Sequence, residues 1–275
     1  MTELPRLPEC ITVFVAGPVS SGKTHLLRQW ANMKERVLIH DVAADYLSND
    51  FEHIWSGNKQ QRGVRILAER LKSNPHYFRI AYHVNSETIH EDFFYQYACI
   101  WQLQKPRWLF IEECHEVCGM GMAPGMENIL RYSRHNLLGV VAASQRIADV
   151  SPLLRSSARM VVLFHTKEFR DLIAIRERWG SEVEQAVKSL RPCIYNDETK
   201  VLEQSPECVV YLKGYGFRVI ALGTKVKTTT ETESAEQWQE ILQDQPSTPE
   251  PQSSPEDSGE REPESPDDTS EPSQP

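Results

Sequence analysis

With 275 residues, 40% of them hydrophobic, the chain is long enough to bury one sizeable core and leaves room for at most a small second module. Its formal net charge of −9 sits at one end: ten of the 39 acids and one of the 30 bases fall within 244–275, which leaves 29 of each in 1–243, so the neutral body neither excludes nor supports a nucleic-acid partner. No apolar run approaches the roughly 20 residues that cross a bilayer, and no secretory leader is evident, so the six scattered cysteines are expected as reduced thiols in a cytoplasmic protein.

Residues 1–10 form a proline-containing lead-in. The apolar, β-branched run 11–16 predicts a buried strand, and 24–31 carries helical spacing of apolar residues. Between them lies Gly17-Pro18-Val19-Ser20-Ser21-Gly22-Lys23-Thr24, which fits G-x-x-x-x-G-K-[ST]. Strand, glycine loop and helix is the arrangement that phosphate binding requires. The glycines permit a tight turn whose N–H groups converge on an anion, and the helix N-terminus adds partial positive charge.

A second strand, 36–41, ends in Asp41, and the polar stretch 48–63 is expected as a loop. The spacing predicts a helix over 64–71, a strand over 77–84 and a long helix over 88–104, whose Phe93, Tyr97, Ile100 and Trp101 stripe is read as core rather than as a base-stacking surface. Residues 107–113 predict a buried strand ending in Glu112 and Glu113. A Gly-Met-rich loop (119–125), a helix (126–134) and an apolar strand (137–144) capped by Gln145-Arg146 follow. A turn or short helix (150–157), a strand (159–164), two helices (168–178 and 181–190) and a terminal hairpin (207–212 with 217–222) complete the pattern. Strands alternating with helices predict an α/β fold with a mostly parallel sheet covered on both faces. Residues 1–226 form one expected P-loop domain. Residues 227–275 lose periodicity, and 244–275 holds eight of the 17 prolines with no aromatic residue, Val or Ile, so an acidic Pro/Ser/Glu-rich disordered tail is expected. It is read either as a passive solubilising extension or as a tether or acidic decoy for a basic surface.

Each candidate site residue follows from what phosphoryl transfer needs. Lys23 would reach the β- and γ-phosphates of ATP, and the Thr24 hydroxyl would ligate Mg²⁺. Glu112 would hold Mg²⁺ directly or through water, and Glu113 would orient and polarise the attacking water. Gln145 ends the next strand; if the two strands are neighbours, its amide lies beside the γ-phosphate as a sensor. Arg131, Arg134, Arg146 and Arg155 are candidate cations for the γ-phosphate, and one acting in trans requires an oligomer. Cys114-His115-Glu116-Val117-Cys118 offers three possible metal ligands, but no second Cys/His pair stands at structural-zinc spacing, so zinc is not expected. The absence of Asn-Lys-x-Asp argues against a GTPase, and the absence of Leu-Ser-Gly-Gly-Gln against a transporter-type ATPase.

Four features together resemble the FtsK–HerA superfamily of DNA-pumping ATPases: Gly17 to Thr24; Asp41-x-x-x-Asp45-Tyr46; Leu109-Phe110-Ile111-Glu112-Glu113; and Arg134 followed by the apolar strand and Ser144-Gln145-Arg146. They span residues 11 to about 164. The resemblance implies a RecA-like P-loop core, a homo-oligomeric, hexameric ring, and ATP-driven movement of double-stranded DNA. It assigns Gln145 as sensor and Arg134 as arginine finger. Glu112 departs from the Asp usual at that position. The bare core is similar to viral genome-packaging ATPases that fill a preformed capsid, which implies capsid or membrane-vertex proteins as partners and the host cytoplasm or virion as location. A plasmid or mobile-element DNA translocase is the alternative within the class. A nucleotide-dependent switch or scaffold with slow ATPase is the alternative outside it.

Overall fold

The computed structural model describes residues 7, 10–56, 62–103, 105–119, 121–196, 201–204 and 206–222; the expected tail, 227–275, lies outside the described residues. In chain order the elements are β1 (Thr12–Ala16), α1 (Lys23–Asn32), β2 (Arg36–Asp41), β3 (Glu52–Trp55), α2 (Arg62–Ser73), β4 (Phe78–His83), α3 (Ile89–Trp101), β5 (Arg107–Ile111), α4 (His115–Cys118), α5 (Met126–Tyr132), β6 (Leu138–Ser144), α6 (Pro152–Ser157), β7 (Met160–Phe164), α7 (Phe169–Trp179), α8 (Ser181–Ser189), β8 (Ile194–Asn196), β9 (Val201–Gln204), β10 (Glu207–Leu212) and β11 (Gly216–Ala221).

Nine strands form one sheet in the order β11-β10-β7-β1-β6-β5-β2-β4-β3. The seven from β7 to β3 are parallel, and the β10–β11 hairpin adds antiparallel to β7. The central strands β1, β5, β6 and β7 are buried at every position, which is why they appear in the sequence as continuous apolar runs rather than as alternation. Each sends successive side chains to opposite faces, and two cores result. One, on the α1 face, holds Leu26, Leu27 and Trp30 against Val13, Val15 and Ile39. The other holds Phe93 and Ile100 of α3, Ile129 of α5 and Ile175 of α7 against Leu38, Leu109 and Val140. The α3 aromatic stripe is therefore core: Phe93 and Ile100 are buried, and Tyr97 and Trp101 are half-buried against the same cluster.

Two stretches differ from the sequence expectation. Residues 48–63 are not all loop, because β3 lies within them and pairs with β4 at the sheet edge. Only Ile54 of β3 is buried, too little apolar pattern to register as a strand, and pairing on one side supplies what the sequence does not signal. The β8–β9 ribbon was likewise not anticipated. The carboxylate strand also stops at Ile111, with Glu112 and Glu113 in the turn beyond it.

The end of α3 is fixed by a buried cation. Arg107 Nε donates to Ile100 O (2.8 Å), Nη2 to Trp101 O (3.0 Å), and Nη1 to Lys105 O (3.1 Å) and to Asn136 O. One guanidinium thus meets the last carbonyls of a helix and the chain entering β6. Beside it, Trp108 and Gly139 are cross-strand partners. A Cβ at Gly139 would stand 2.6 Å from Trp108 Cε3, so the indole occupies the space that a side chain would need. Gly139→Ala should destabilise the fold by about 1–3 kcal/mol despite the lower backbone entropy of alanine. Urea denaturation reads this directly, and an unchanged midpoint would contradict it.

Candidate functional site

The carboxyl ends of the parallel strands converge at one sheet edge. β6 pairs with β1 on one side and β5 on the other, aligning Ala16 with Ser144 and Ile111 with Ala142. The glycine loop after β1, Glu112 and Glu113 after β5, and Gln145 after β6 are therefore neighbours, so the condition on which Gln145 depended is met.

The loop is built to receive an anion. Gly17 N donates to Ser144 O (3.2 Å), which fastens its start to β6. A Cβ at Gly17 would stand 2.6 Å from Phe164 Cβ, so only glycine fits. Ser20 (φ 60°) and Gly22 (φ 101°) both take left-handed backbone. Helix α1 has no side-chain cap, so the N–H groups of its first turn, Lys23 and Thr24 among them, have no helical acceptor. The Ser21 hydroxyl is buried without a partner. Lys23 is buried, and its ammonium folds back to donate to Gly17 O (2.7 Å) and Pro18 O (2.8 Å), the carbonyls flanking the cradle. Burial pushes the Lys23 pKa down, and Glu113, Glu112 and Asp45 oppose that shift. Val19 stands exposed at the tip. These features fit a nucleotide polyphosphate: converging donors, an uncapped helix end and a cation positioned to move.

The carboxylates differ in environment. Glu112 is 2% exposed and accepts a hydrogen bond from the Tyr46 hydroxyl at 2.8 Å. Burial pushes its pKa up to about 7, the Tyr46 hydrogen bond opposing. Glu113 sits in left-handed backbone (φ 46°), which turns its side chain towards β6, where Gln145 Nε2 donates to its Oε1 at 2.6 Å. His115 Nδ1 lies 3.4 Å from the other oxygen. With the Thr24 hydroxyl half-buried at the same edge, the donors are oxygens, the set that Mg²⁺ takes. Among the described residues no three His, Cys, Asp or Glu side chains come together as a metal cluster. Cys114 and Cys118 face the core; burial raises both thiols, that of Cys118 to about 12.

The sequence quoted Asp41, Asp45 and Tyr46 without giving them a role. The Asp41 carboxylate accepts from Asp45 N (3.0 Å) and Tyr46 N (3.1 Å), closing a turn that sends the buried Tyr46 ring to Glu112. The spacing of four and five residues was the signal, since it matches a side chain bonding to amides one turn ahead.

Arg134 lies at the other end of the sheet. It is exposed and precedes β6, whose seven residues span about 20 Å before Ser144. Within one subunit it cannot reach the glycine loop. Arg131 pairs with Glu127 (2.9 Å), and Arg146 with Asp171 (3.1 Å) and Glu168 (3.3 Å). Arg155 is partly buried at the end of α6, and burial lowers its pKa.

No family model and no curated protein match this sequence. Solved structures do. The genome packaging NTPase B204 from Sulfolobus turreted icosahedral virus 2, in complex with ATP-gammaS, aligns with a TM-score of 0.58 at 16% identity, covering 76% of this chain and 95% of that one. The fold is therefore shared with B204. The same B204 protein in complex with AMP gives 0.59 at 15% identity over 78% and 98%. B204 described as the DNA-packaging ATPase from Sulfolobus Turreted Icosahedral Virus gives 0.57 at 16% over 78% and 98%. The likeness thus extends over nearly the whole length of B204.

Burial gives this edge a pH signature. As pH falls from 7 to 5, native Glu112 takes up its proton before the unfolded chain does, which stabilises the fold. Fully buried His40, held down to about 4 mainly by desolvation, has the opposite sign: the unfolded imidazole, ordinarily near 6.5, is protonated first. Each effect is about 2 kcal/mol over this interval and the two nearly cancel. Glu112→Gln removes one side. Its stability should therefore drop about 2 kcal/mol more than wild type between pH 7 and pH 5 in urea denaturation. Parallel profiles would contradict the raised Glu112 pKa.

Proposed function

We propose that the chain is an ATP-hydrolysing motor that translocates double-stranded DNA, packaging a viral genome into a preformed capsid. The observation that carries this reading is the convergence of the glycine loop, Glu112, Glu113 and Gln145 on adjacent strand ends of a packaging-NTPase fold. On ATP binding, the loop N–H groups hold the phosphates, and Lys23 exchanges the Gly17 and Pro18 carbonyls for the β- and γ-phosphate oxygens. Thr24 and Glu112 would hold Mg²⁺, which would supply charge neutralisation at those phosphates. Glu113 orients the attacking water and accepts its proton; it must first be released from Gln145, and that exchange gives Gln145 its sensor role. Arg134, out of reach in its own subunit, serves the site of a neighbour in a ring, which supports a homo-oligomer, expected as a hexamer. Capsid or membrane-vertex proteins are the expected docking partners. Among the described residues no helix is long and apolar enough to cross a membrane.

The Gln145–Glu113 contact also supports a second reading, a nucleotide-dependent switch with slow turnover, because the would-be base is engaged. Duplex DNA separates the two. A motor's ATPase should be stimulated strongly by duplex DNA, and Glu113→Gln should lower kcat by about 10²–10⁴-fold while retaining nucleotide binding. Slow turnover indifferent to DNA would sink the motor. For the finger, subunits carrying Arg134→Ala should depress a mixed assembly below simple dilution. A linear fall with mutant fraction would remove Arg134 from the neighbouring site.

A further inference from the structure

The fold polarises a body whose acids and bases balance in number. The carboxyl edge of the sheet carries Asp41, Asp45, Glu112 and Glu113. At the opposite, amino edge the chain enters β7, β1, β6, β5 and β2 through the segments 155–160, 7–11, 132–138, 101–107 and 32–36. The β10–β11 turn, 212–217, lies beside them, because Leu212 pairs with Met160 at the start of β7. Together these six segments contain eight Lys or Arg and two acids, Glu9 and Glu35.

Three of the eight have local partners. Arg107 is buried on backbone carbonyls. Lys34 donates to Leu7 O (3.3 Å) and lies 4.4 Å over the Trp108 ring, and Arg155 feels Glu177. The other five, Lys213, Arg159, Arg134, Lys105 and Arg36, are exposed or half-buried and stand in strand order, one each at β10, β7, β6, β5 and β2. Strands about 4.8 Å apart make this a row of roughly 24 Å. Lys213 Nζ leans on Ser156 O (3.4 Å) and Lys105 Nζ on His76 Nδ1 (2.7 Å), which leaves each ammonium further donors. None of the five forms a salt bridge among the described residues, whereas Arg70 and Arg131 on the adjoining helices do.

We propose that this row docks the acidic segment 244–275 of the same chain, and that the docked segment masks the amino edge against other polyanions. The segment brings ten acids and one base, and it has no aromatic residue, Val or Ile, so charge is what it offers a surface. Its tether is long enough. Strand β11 runs from the row at Gly216 towards the carboxyl edge, about 20 Å over its six residues, and the chain between Leu222 and Asp244 can span up to roughly 70 Å. Attachment makes docking intramolecular, at an effective concentration on the order of millimolar, which suffices for individually weak, salt-screened contacts. Docking needs no nucleotide and no turnover, so it does not depend on the motor reading.

Two measurements on the full chain test it. Carbodiimide cross-linking joins a carboxylate to an amine in contact with it. In a mixture of ¹⁴N and ¹⁵N chains at low salt, peptide mapping should find the acids of 244–275 linked to Lys105 and Lys213 within one isotope, and the links should vanish at about 1 M salt, where the Debye length is about 3 Å. No links, links to Lys167 at the other edge, or links between heavy and light chains would overturn the docking. For the masking, a chain with the ten acids changed to Asn or Gln should bind labelled heparin about tenfold tighter than wild type at low salt. Adding Lys105→Glu and Lys213→Glu should abolish that gain, whereas Lys167→Glu and Arg170→Glu, an equal charge change at exposed positions of the opposite edge, should keep it. Heparin affinity unchanged by neutralising the acids, or an equal loss from both pairs, would overturn the masking of this row.

Discussion

The insertion of β6 between β1 and β5 is the constraint on which the site depends. Parallel pairing at fixed register leaves no freedom in which side chains meet at the sheet edge: Ala16 faces Ser144, and Ile111 faces Ala142. One residue of slip would send each inward side chain of β6 to the opposite core. Because Val140 and Ala142 belong to one core and Val141 and Ala143 to the other, burial on both faces holds that register. The glycine loop, the glutamates and Gln145 are thus aligned by hydrophobic packing beneath them, with the site carried on rigid strand ends.

Above the sheet the site is held by buried charge and local strain. Ser20 and Glu113 both adopt left-handed backbone without being glycine, a conformation that costs roughly 1–3 kcal/mol and persists only where surroundings impose it. At Glu113 it aims a carboxylate at Gln145. At Ser20 it opens the loop. Asp41 accepts two backbone N–H groups and lies beside His83, whereas Glu112, on the neighbouring strand's end, has one phenol and a raised pKa. Two carboxylates at adjacent strand ends thereby have opposite protonation behaviour. Asp41 is a fixed structural anion, and Glu112 is an acid that gains from the arrival of a cation.

How much of this was legible in the sequence varied with the kind of signal. Gly17 to Thr24 could be read because every position in the loop answers a local demand: a left-handed turn, an inward N–H, a cation, a hydroxyl. The strands carrying Glu112, Glu113 and Gln145 could be read because central parallel strands are apolar throughout. Strand β3 could not, because an edge strand with one buried residue leaves no such pattern. Tyr46 was noticed only as part of a spacing, since its partner Glu112 is 66 residues away. Arg134 was placed by resemblance; its removal from the glycine loop of its own subunit follows from the length and direction of β6.

The sequence by itself determined the chemistry of the phosphate cradle and the alternating α/β plan, because both are written in neighbouring residues through backbone conformation and hydrophobic period. Only the tertiary structure decided which strands are neighbours, that Gln145 bonds Glu113, that Tyr46 bonds Glu112, and that His53 meets His83. These contacts join residues 30 to 66 positions apart, and their existence depends on strand order and register, which no local pattern encodes.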